Sequence, residues 1–146
     1  MPTLNEALNA PQKKPAVVDD CVALVDAEVA DKGGISGLAI KAGYAAVKGI
    51  KPGFIRGVVD DLLPEFADAL EPLYAEAKEK NVAIETHFVS SSGRAADALL
   101  SITDRKAQRS KSAVVKGTYD KLRGMAKKNV EHAVPRLARL IVKHAG

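Results

Sequence analysis

Aromatic residues and cysteine are scarce in this sequence. It has no tryptophan, three phenylalanines, three tyrosines and one cysteine among 146 residues. A core with so few rings has to be built from Ala, Val, Leu and Ile, which favours the close approach of its elements. The lone Cys21 excludes an intramolecular disulfide, and this is typical of proteins kept in a reducing compartment.

Long apolar runs are also lacking. No stretch approaches the roughly 20 apolar residues that cross a bilayer as a helix. The N-terminal residues MPTLNE lack the basic flank and the apolar segment of a signal peptide. We therefore expect a cytoplasmic protein without a transmembrane segment. The 146 residues, of which 47% are hydrophobic, suffice to bury a core and predict a single domain, 1–146.

No motif commits the sequence to a chemistry. The glycine-rich turn 33–37 precedes Lys41, as in a phosphate cradle, but it is neither a Walker motif nor a dinucleotide fingerprint. The acidic residues beside Cys21 should raise the pKa of its thiol, which favours a structural role. No histidine has a helical i, i+4 histidine partner, so no metal site is predicted; the three are His87, His132 and His144. We predict no catalytic residue and no cofactor, and favour a protein that is not an enzyme.

Apolar residues of the first half recur with helical spacing. Thr3 and Glu6 form a capping-box pattern for a short first helix. Pro15 suits the first turn of a second helix, since that N–H would be unpaired anyway. Pro64 and Pro72 lie in the longest amphipathic run, where we expect a bend or a restart. The predicted helices of this half cover about 3–8, 15–32, 35–49 and 54–77.

The second half continues the helical pattern. Residues 82–89 predict a short helix or a loop, because their β-branched residues have no partner strand elsewhere. The serine-rich stretch 90–93 should cap a helix that runs to about Gln108. Gly124 should separate a helix over 112–123 from a last helix over 125–144, which should be interrupted or bent at Pro135. The whole pattern predicts an all-α fold, a compact bundle of about six or seven helices.

The two halves share a weak sequence similarity. A shift of 75 residues aligns a Lys-x-x-Tyr pattern and a glycine, and a four-residue adjustment then aligns two internal prolines. The matched pairs are Lys41/Lys116, Tyr44/Tyr119, Gly49/Gly124 and Pro64/Pro135. Chance alignment of helical sequences is the alternative. The hypothesis is that residues 1–80 and 81–146 are similar helical halves related by a pseudo-twofold axis.

Charge is distributed unevenly along the chain. The net charge is +4, but residues 1–80 carry nine Lys/Arg and 13 Asp/Glu, whereas residues 81–146 carry 13 and five. Such asymmetry indicates an anionic partner for the second half, or attraction between the halves of neighbouring molecules.

Two groups of basic residues are candidate anion-binding or nucleic-acid-binding sites. The first falls in the second half, where Asp120 is the only acidic residue between its ends: Arg105, Lys106, Arg109, Lys111, Lys116, Lys121, Arg123, Lys127 and Lys128. Such residues would contact phosphates without reading bases. The second is a strip on the third predicted helix and the link after it: Lys41, Lys48 and Lys51. A solvated charged surface is the alternative for both groups.

Two motifs carry a family resemblance. They are KGGISGLAIK at residues 32–41 and LLPEFADALEP at residues 62–72, and ALLSITD at residues 98–104 extends the similarity. With them the sequence resembles a bacterial family of small helical proteins that form a domain of unknown function. The resemblance implies a bacterial, cytosolic, helical protein and carries over no functional residue.

Composition, charge and resemblance together favour one functional class. We predict a non-enzymatic binding or scaffold protein whose basic C-terminal half engages an anionic partner. Nucleic acid is the first candidate, and an anionic membrane surface or an acidic protein comes next. The alternative is a self-associating structural protein, a homo-oligomer in which the acidic half of one copy docks on the basic half of another.

Overall fold

The computed structural model describes residues 2–146 of the chain. Over this range it contains seven α-helices and no strand, which confirms the predicted all-α bundle. The helices are α1 (Leu4–Leu8), α2 (Lys14–Asp31), α3 (Gly34–Lys48), α4 (Phe54–Glu79), α5 (Ile84–Ser90), α6 (Ser92–Arg109) and α7 (Ala113–Ala145).

Local sequence signals mark the starts of three helices. Thr3 accepts a hydrogen bond from the backbone of Glu6, and the Glu6 side chain accepts one from the backbone of Thr3, so the predicted capping box is confirmed. Pro15 lies in the first turn of α2. Gly53, immediately before α4, has φ +72°, a left-handed conformation that favours glycine.

The core consists of aliphatic side chains around two buried rings. Tyr74 of α4 and Phe88 of α5 are 2% and 0% exposed and pack with apolar residues of α1, α2, α4, α6 and α7. The Tyr74 hydroxyl donates to the carbonyl oxygen of Ala145 at 2.7 Å, which fixes the end of α7 against α4. The predicted short helix at residues 82–89 is α5, and it supplies Phe88 to this core.

The predicted division of the last helix at Gly124 is wrong. Helix α7 runs without a break through Gly124 and Pro135. Helix α4 also continues through Pro64 and Pro72, so the alternative of a restart is excluded there, and the bends expected at the three prolines stay predictions. A helical glycine costs only about 1 kcal/mol relative to alanine, and a proline removes one backbone hydrogen bond. Packing on the core outweighs costs of this size.

The predicted serine cap of α6 is also wrong in its mechanism. Helix α6 begins at Ser92 after Ser91, but the side chain of Ser91 makes no capping hydrogen bond. The helix is held instead by the burial of one face, which includes Ala95, Leu100 and Ile102.

The paired residues of the two halves make matching contacts. Tyr44 and Tyr119 each donate a hydrogen bond to an aspartate of the preceding helix, Asp26 and Asp104 respectively. The basic residue four positions later pairs with the same aspartate: Lys48 Nζ lies 3.9 Å from Asp26, and Arg123 Nε lies 2.8 Å from Asp104. In the alignment of the two halves, α7 corresponds to both α3 and α4. The four-residue adjustment falls at the link between α3 and α4, whereas α7 is continuous at the corresponding point. The duplication itself stays a prediction.

Helix α3 lies at the edge of the bundle and runs antiparallel to α7. Lys32, just before α3, contacts His132, with 3.3 Å between Nζ and Nδ1. Further along α3, Gly43 lies so close to α7 that a Cβ atom there would meet Thr118 Cγ2 at 2.9 Å. Gly37 is the one residue of α3 that is buried. Most of this helix therefore contributes surface rather than core.

Candidate ligand-binding cleft

The bundle has an open cleft with a volume of about 690 Å³. The end of α3 and the first turns of α4 form one side, and the end of α6 and the first turns of α7 form the other. Clefts of about 300–1,000 Å³ are typical of sites for small organic ligands. We call it the apolar cleft.

The walls of the apolar cleft are largely aliphatic. Apolar side chains of α4 remain accessible there because other helices only partly cover its first turns. Leu62 of α4 is 4% exposed, whereas the residues before it on the same face are half-buried. The apolar lining residues are Val47, Phe54, Ile55, Val58, Leu62, Ala107, Val115 and Leu122.

A hydrogen-bonded group forms one polar part of the wall. Tyr119 Oη lies 2.7 Å from Thr103 Oγ1 and donates to Asp104, and Asp104 also accepts from Arg123. Burial and the neighbouring Asp104 carboxylate raise the pKa of Tyr119 to about 12. Hydrogen bonds from Arg123 and Tyr119 lower the pKa of Asp104. At neutral pH the phenol of Tyr119 is therefore protonated, and it donates its hydrogen bond to the Asp104 carboxylate.

Charged side chains of both signs line the exposed edge of the apolar cleft, which we call its mouth. The basic ones are Lys51, Lys106 and Arg109, and the acidic ones are Asp61 and Glu65. Lys106 Nζ lies 3.9 Å from a carboxylate oxygen of Asp61, so its charge is partly compensated. Lys51 and Arg109 have no carboxylate oxygen within 4 Å among residues 2–146. These two cations are available to an anionic ligand.

Four residues of the predicted basic cluster are engaged in ion pairs within the chain. The pairs join neighbouring helices: Arg105 with Glu65 at 3.9 Å, Lys106 with Asp61 at 3.9 Å, Arg123 with Asp104 at 2.8 Å and Lys127 with Asp97 at 3.2 Å. The charge of these four residues is thus partly compensated by carboxylates of neighbouring helices. The cluster is not one continuous free surface.

The other residues of both basic groups separate into three places. Arg109 lines the apolar cleft, as Lys51 of the predicted strip does. Lys111 lies in the short connection between α6 and α7, and Lys116, Lys121 and Lys128 are exposed on α7. On α3, Lys41 is exposed, whereas Lys48 pairs with Asp26 and lies 5.0 Å from the centre of the Tyr44 ring.

The histidines and the cysteine take structural positions. Each histidine contacts a carboxylate of another helix, in the pairs His87–Glu76, His132–Glu28 and His144–Asp20. Burial, together with the charge of Asp20, raises the pKa of Cys21 to about 11. Among residues 2–146 no group of three or more His, Cys, Asp and Glu side chains is placed to hold a metal ion. No helix in the described part is long and apolar enough to cross a membrane.

Comparison with known proteins identifies a family. The DUF6918 family, described as a family of unknown function, matches residues 4–145. The chain belongs to this family. The match spans α1 to α7, so the apolar cleft lies entirely within the DUF6918 region. No curated protein and no solved structure matched the chain. The predicted resemblance to a family of unknown function is thereby confirmed, while the two motifs and the bacterial origin stay predictions.

Sequence reasoning missed the apolar cleft of this DUF6918 protein. Phe54, Ile55 and Val58 belong to the clearest amphipathic pattern in the chain, and that pattern predicts burial for all of its apolar residues. Their incomplete burial depends on how far α3 and α7 reach over α4. The available signal is the Lys-Pro-Gly break at residues 51–53, which places a basic residue and a sharp turn beside these side chains.

Proposed function

We propose that the protein is a non-enzymatic binding protein for a small amphipathic anion, with the apolar cleft as its site. The observation that supports this function is that the cleft has aliphatic walls and, at its mouth, two cations without a carboxylate oxygen within 4 Å in the described part of the chain, Lys51 and Arg109. The chemistry that fits is a hydrocarbon chain bearing one anionic head group. A long-chain fatty acid is the simplest such molecule.

The apolar part of the ligand supplies most of the affinity in this proposal. Each methylene group moved from water into an apolar site contributes about 0.8 kcal/mol. Phe54, Ile55 and Val58 are half-buried in the free protein, and a chain lying on them would remove further apolar surface from water. The cleft volume of about 690 Å³ leaves room for such a chain.

The head group supplies orientation. Lys51 lies on the link before α4 and Arg109 at the end of α6, so the two cations approach the mouth from opposite sides. Arginine binds carboxylates with two parallel hydrogen bonds, whereas lysine acts as a compact point charge. An anion between them replaces water at exposed positions, which costs less than burying a charge.

Binding is favoured over catalysis by the state of the polar groups in the wall. The Tyr119 hydroxyl donates a hydrogen bond to Asp104, and Arg123 forms an ion pair with the same carboxylate. The hydrogen bonds from Arg123 and Tyr119 lower the pKa of Asp104, which makes this carboxylate a weak base for activating the Tyr119 hydroxyl. The polar wall therefore acts as a rigid support for α6 and α7.

Calorimetric titration with saturated fatty acids of increasing chain length tests the proposal. Affinity should rise with chain length, and the alcohol of equal length should bind more weakly because it lacks the charge. Lys51→Ala and Arg109→Ala should each weaken fatty-acid binding about tenfold, the size typical of a hydrogen bond to a charged group. Lys80→Ala is the control, since Lys80 follows the far end of α4.

Two results would overturn the proposal. One is the absence of fatty-acid binding at any chain length. The other is binding in which the alcohol and the acid have equal affinities and both cation variants behave like the unaltered protein, because the mouth would then have no role.

Nucleic acid is the second candidate partner. The observation that favours it is the group of exposed cations at the connection between α6 and α7, where Arg109, Lys111 and Lys116 have no carboxylate oxygen within 4 Å among residues 2–146. Fluorescence anisotropy with duplex DNA, single-stranded DNA and RNA, at low and near-physiological salt, tests it. Binding should fall steeply with salt and weaken in the double variant Lys111→Ala/Lys116→Ala. Neither of these lysines lines the apolar cleft, so the two candidate functions are tested separately.

A further inference from the structure

Helix α3 has a second apolar face that no other helix covers. Its inner face, with Gly43 and Tyr44, packs against α7 and α2. On the outer face Ile35 is 88% exposed and Leu38 is 69% exposed, the two highest values among the large hydrophobic side chains of residues 2–146. One face is enough to attach a helix to its own bundle, so the second is unexplained by the fold.

The outer face continues along the whole helix. Ile35, Leu38, Ala42 and Ala45 follow one another at intervals of three and four residues, and all four are exposed. We call these four residues the α3 face. Two large side chains stand at one end, and the flat alanine surface extends from them. None of the four lines the apolar cleft.

Lysines of α7 border the α3 face on one side. Tyr119 contacts α6 and so marks the side of α7 that faces α6. At about 100° per residue, Lys121 and Lys128 lie about 200° and 180° round α7 from Tyr119, on the side away from α6. Both lysines are exposed, and neither has a carboxylate oxygen within 4 Å among residues 2–146. Because α7 lies beside α3, these two charges are on the outer surface next to the α3 face.

A lysine of α3 itself borders the other side. Lys41 lies about 160° round α3 from Gly43, the residue that faces α7, at about 100° per residue. It is exposed and has no carboxylate partner within 4 Å in the described part of the chain. Helix α3 contains no Asp or Glu, and Asp120 is the only acidic residue of α7 up to Lys128. The α3 face is therefore flanked by lysines on two sides.

We propose that the α3 face docks on the surface of a bilayer that contains anionic phospholipid, with Ile35 and Leu38 entering the interface while Lys41, Lys121 and Lys128 contact head groups. Protruding apolar side chains within a basic rim are the features that hold interfacial helices on anionic membranes. This inference is independent of the proposed ligand in the apolar cleft.

The charge pattern favours a bilayer over the other occupants. A second copy of the chain, docked by the same face, would bring lysines against lysines, and like charges across an interface are unfavourable. Nucleic acid would satisfy the lysines but leave Ile35 and Leu38 in water, and the α3 face has no aromatic ring for base stacking. A bilayer with anionic head groups satisfies both parts of the surface.

Co-sedimentation with vesicles tests the inference on the full-length protein without added ligand. The protein should bind vesicles of phosphatidylcholine mixed with phosphatidylglycerol, should not bind phosphatidylcholine alone, and should dissociate as salt rises. Lys121→Ala should weaken binding about fivefold, the effect of one lysine near an anionic surface. Lys80→Ala is its control on a distant helix end.

A pair of exposed positions gives a matched test of the apolar residues. The double variant Ile35→Ser/Leu38→Ser should lose vesicle binding, whereas Val82→Ser/Val89→Ser should retain it, since Val82 and Val89 are also exposed but lie elsewhere. Circular dichroism checks that both variants are folded. Equal binding by the two variants would overturn the inference.

The absence of tryptophan allows a direct readout. Leu38→Trp introduces a single tryptophan, and its emission should shift to shorter wavelength when vesicles with phosphatidylglycerol are added. Val89→Trp should show no such shift. No binding to mixed vesicles even at low salt, or a Leu38-dependent dimer or nucleic-acid complex in their place, would overturn the inference.

Discussion

Arg94 holds both carboxylate oxygens of Glu76, with each nitrogen–oxygen distance 2.9 Å. Glu76 lies near the end of α4 and Arg94 in the first turns of α6, so this two-point contact joins two helices that are separated by α5 in sequence. His87 of α5 contacts the same carboxylate at 2.9 Å. One side chain of α4 thus fixes the position of the next two helices.

The Glu76 contact predicts an acid-sensitive contribution to stability. The hydrogen bonds from Arg94 and His87 lower the pKa of Glu76 from 4.5 to about 2. Because the folded-state pKa lies below the unfolded one, the contribution is complete above the unfolded value and is lost as the pH falls from about 4.5 towards 2. Glu76→Gln should therefore lower the thermal midpoint at neutral pH and flatten its dependence on pH in this window.

Thermal unfolding measured across the acidic range checks this. Glu79→Gln is the matched control, since Glu79 is exposed and forms no ion pair among residues 2–146. Parallel pH profiles for Glu76→Gln and the unaltered protein would show that Arg94 and His87 do not stabilise the folded state through this carboxylate.

A second prediction concerns the turn into α3. A Cβ atom at Gly37 would lie 2.6 Å from the carbonyl carbon of Lys32 and 2.8 Å from its oxygen. Backbone atoms cannot move aside as a side-chain end can, so Gly37→Ala should destabilise the protein by about 1–3 kcal/mol, the usual cost of overpacking. Urea denaturation measures the change.

Gly124→Ala is the matched comparison for Gly37→Ala. A Cβ atom at Gly124 meets nothing within 4 Å, and the residue lies inside the continuous helix α7. Alanine should therefore stabilise the protein by about 0.5–1 kcal/mol through its higher helix propensity. If both substitutions change the free energy of unfolding by the same amount and sign, the packing of α3 on Lys32 is not as described.

The buried carboxylate of Glu28 carries a third prediction. Glu28 is 6% exposed and binds Lys32, His132 and Arg136. Burial opposes its ionisation, yet hydrogen bonds from His132, Arg136 and Lys32 hold its pKa below the usual range. Glu28→Ala should cost about 2 kcal/mol, because the charged groups of Lys32 and Arg136 would lose a hydrogen-bonded partner.

The exposed Asp31 provides the control for Glu28. It binds the same Arg136 at 2.5 Å but is half-exposed, and exposed ion pairs contribute at most about 1 kcal/mol. Chemical denaturation of Asp31→Ala should therefore show a clearly smaller loss than Glu28→Ala. A larger loss for Asp31→Ala would contradict the role assigned to Glu28.

The sequence predicts a helix boundary well where contacts between neighbouring residues determine it, and poorly where contacts with other helices determine it. The capping box at Thr3 and Glu6 is local, so the sequence was sufficient. The continuity of α7 through Gly124 and Pro135 depends on packing against α2, α5 and α6, which no local pattern records. Gly124 therefore does not end the helix, because contacts with other helices outweigh the local preference of glycine for a break.

The candidate sites were predicted even less completely. The sequence shows which residues are basic, but the pairing of Arg105, Lys106, Arg123 and Lys127 with carboxylates of other helices requires the three-dimensional arrangement. The α3 face had a visible signal, since Ile35 and Leu38 lie on a different side of the helix from Ile40 and Tyr44. A helix with two apolar faces needs a second partner.

A substitution at Gly57 tests whether the apolar cleft is the ligand site. Gly57 lies on α4 and lines the cleft, and a Cβ atom there meets nothing within 4 Å. Gly57→Phe should fill the cleft without strain and replace a poor helix former by a better one. The variant should therefore be at least as stable as the unaltered protein and bind fatty acid at least about tenfold more weakly, the loss that follows when a few methylene groups stay in water.

Gly124→Phe is the control for Gly57→Phe, because Gly124 is an equally open helical position that does not line the cleft. It should leave fatty-acid affinity unchanged. Calorimetric titration of both variants, with thermal melts for stability, separates loss of binding from loss of fold. If Gly57→Phe binds fatty acid as tightly as Gly124→Phe does, the ligand lies outside the cleft, and the exposed α3 face becomes the next surface to test for it.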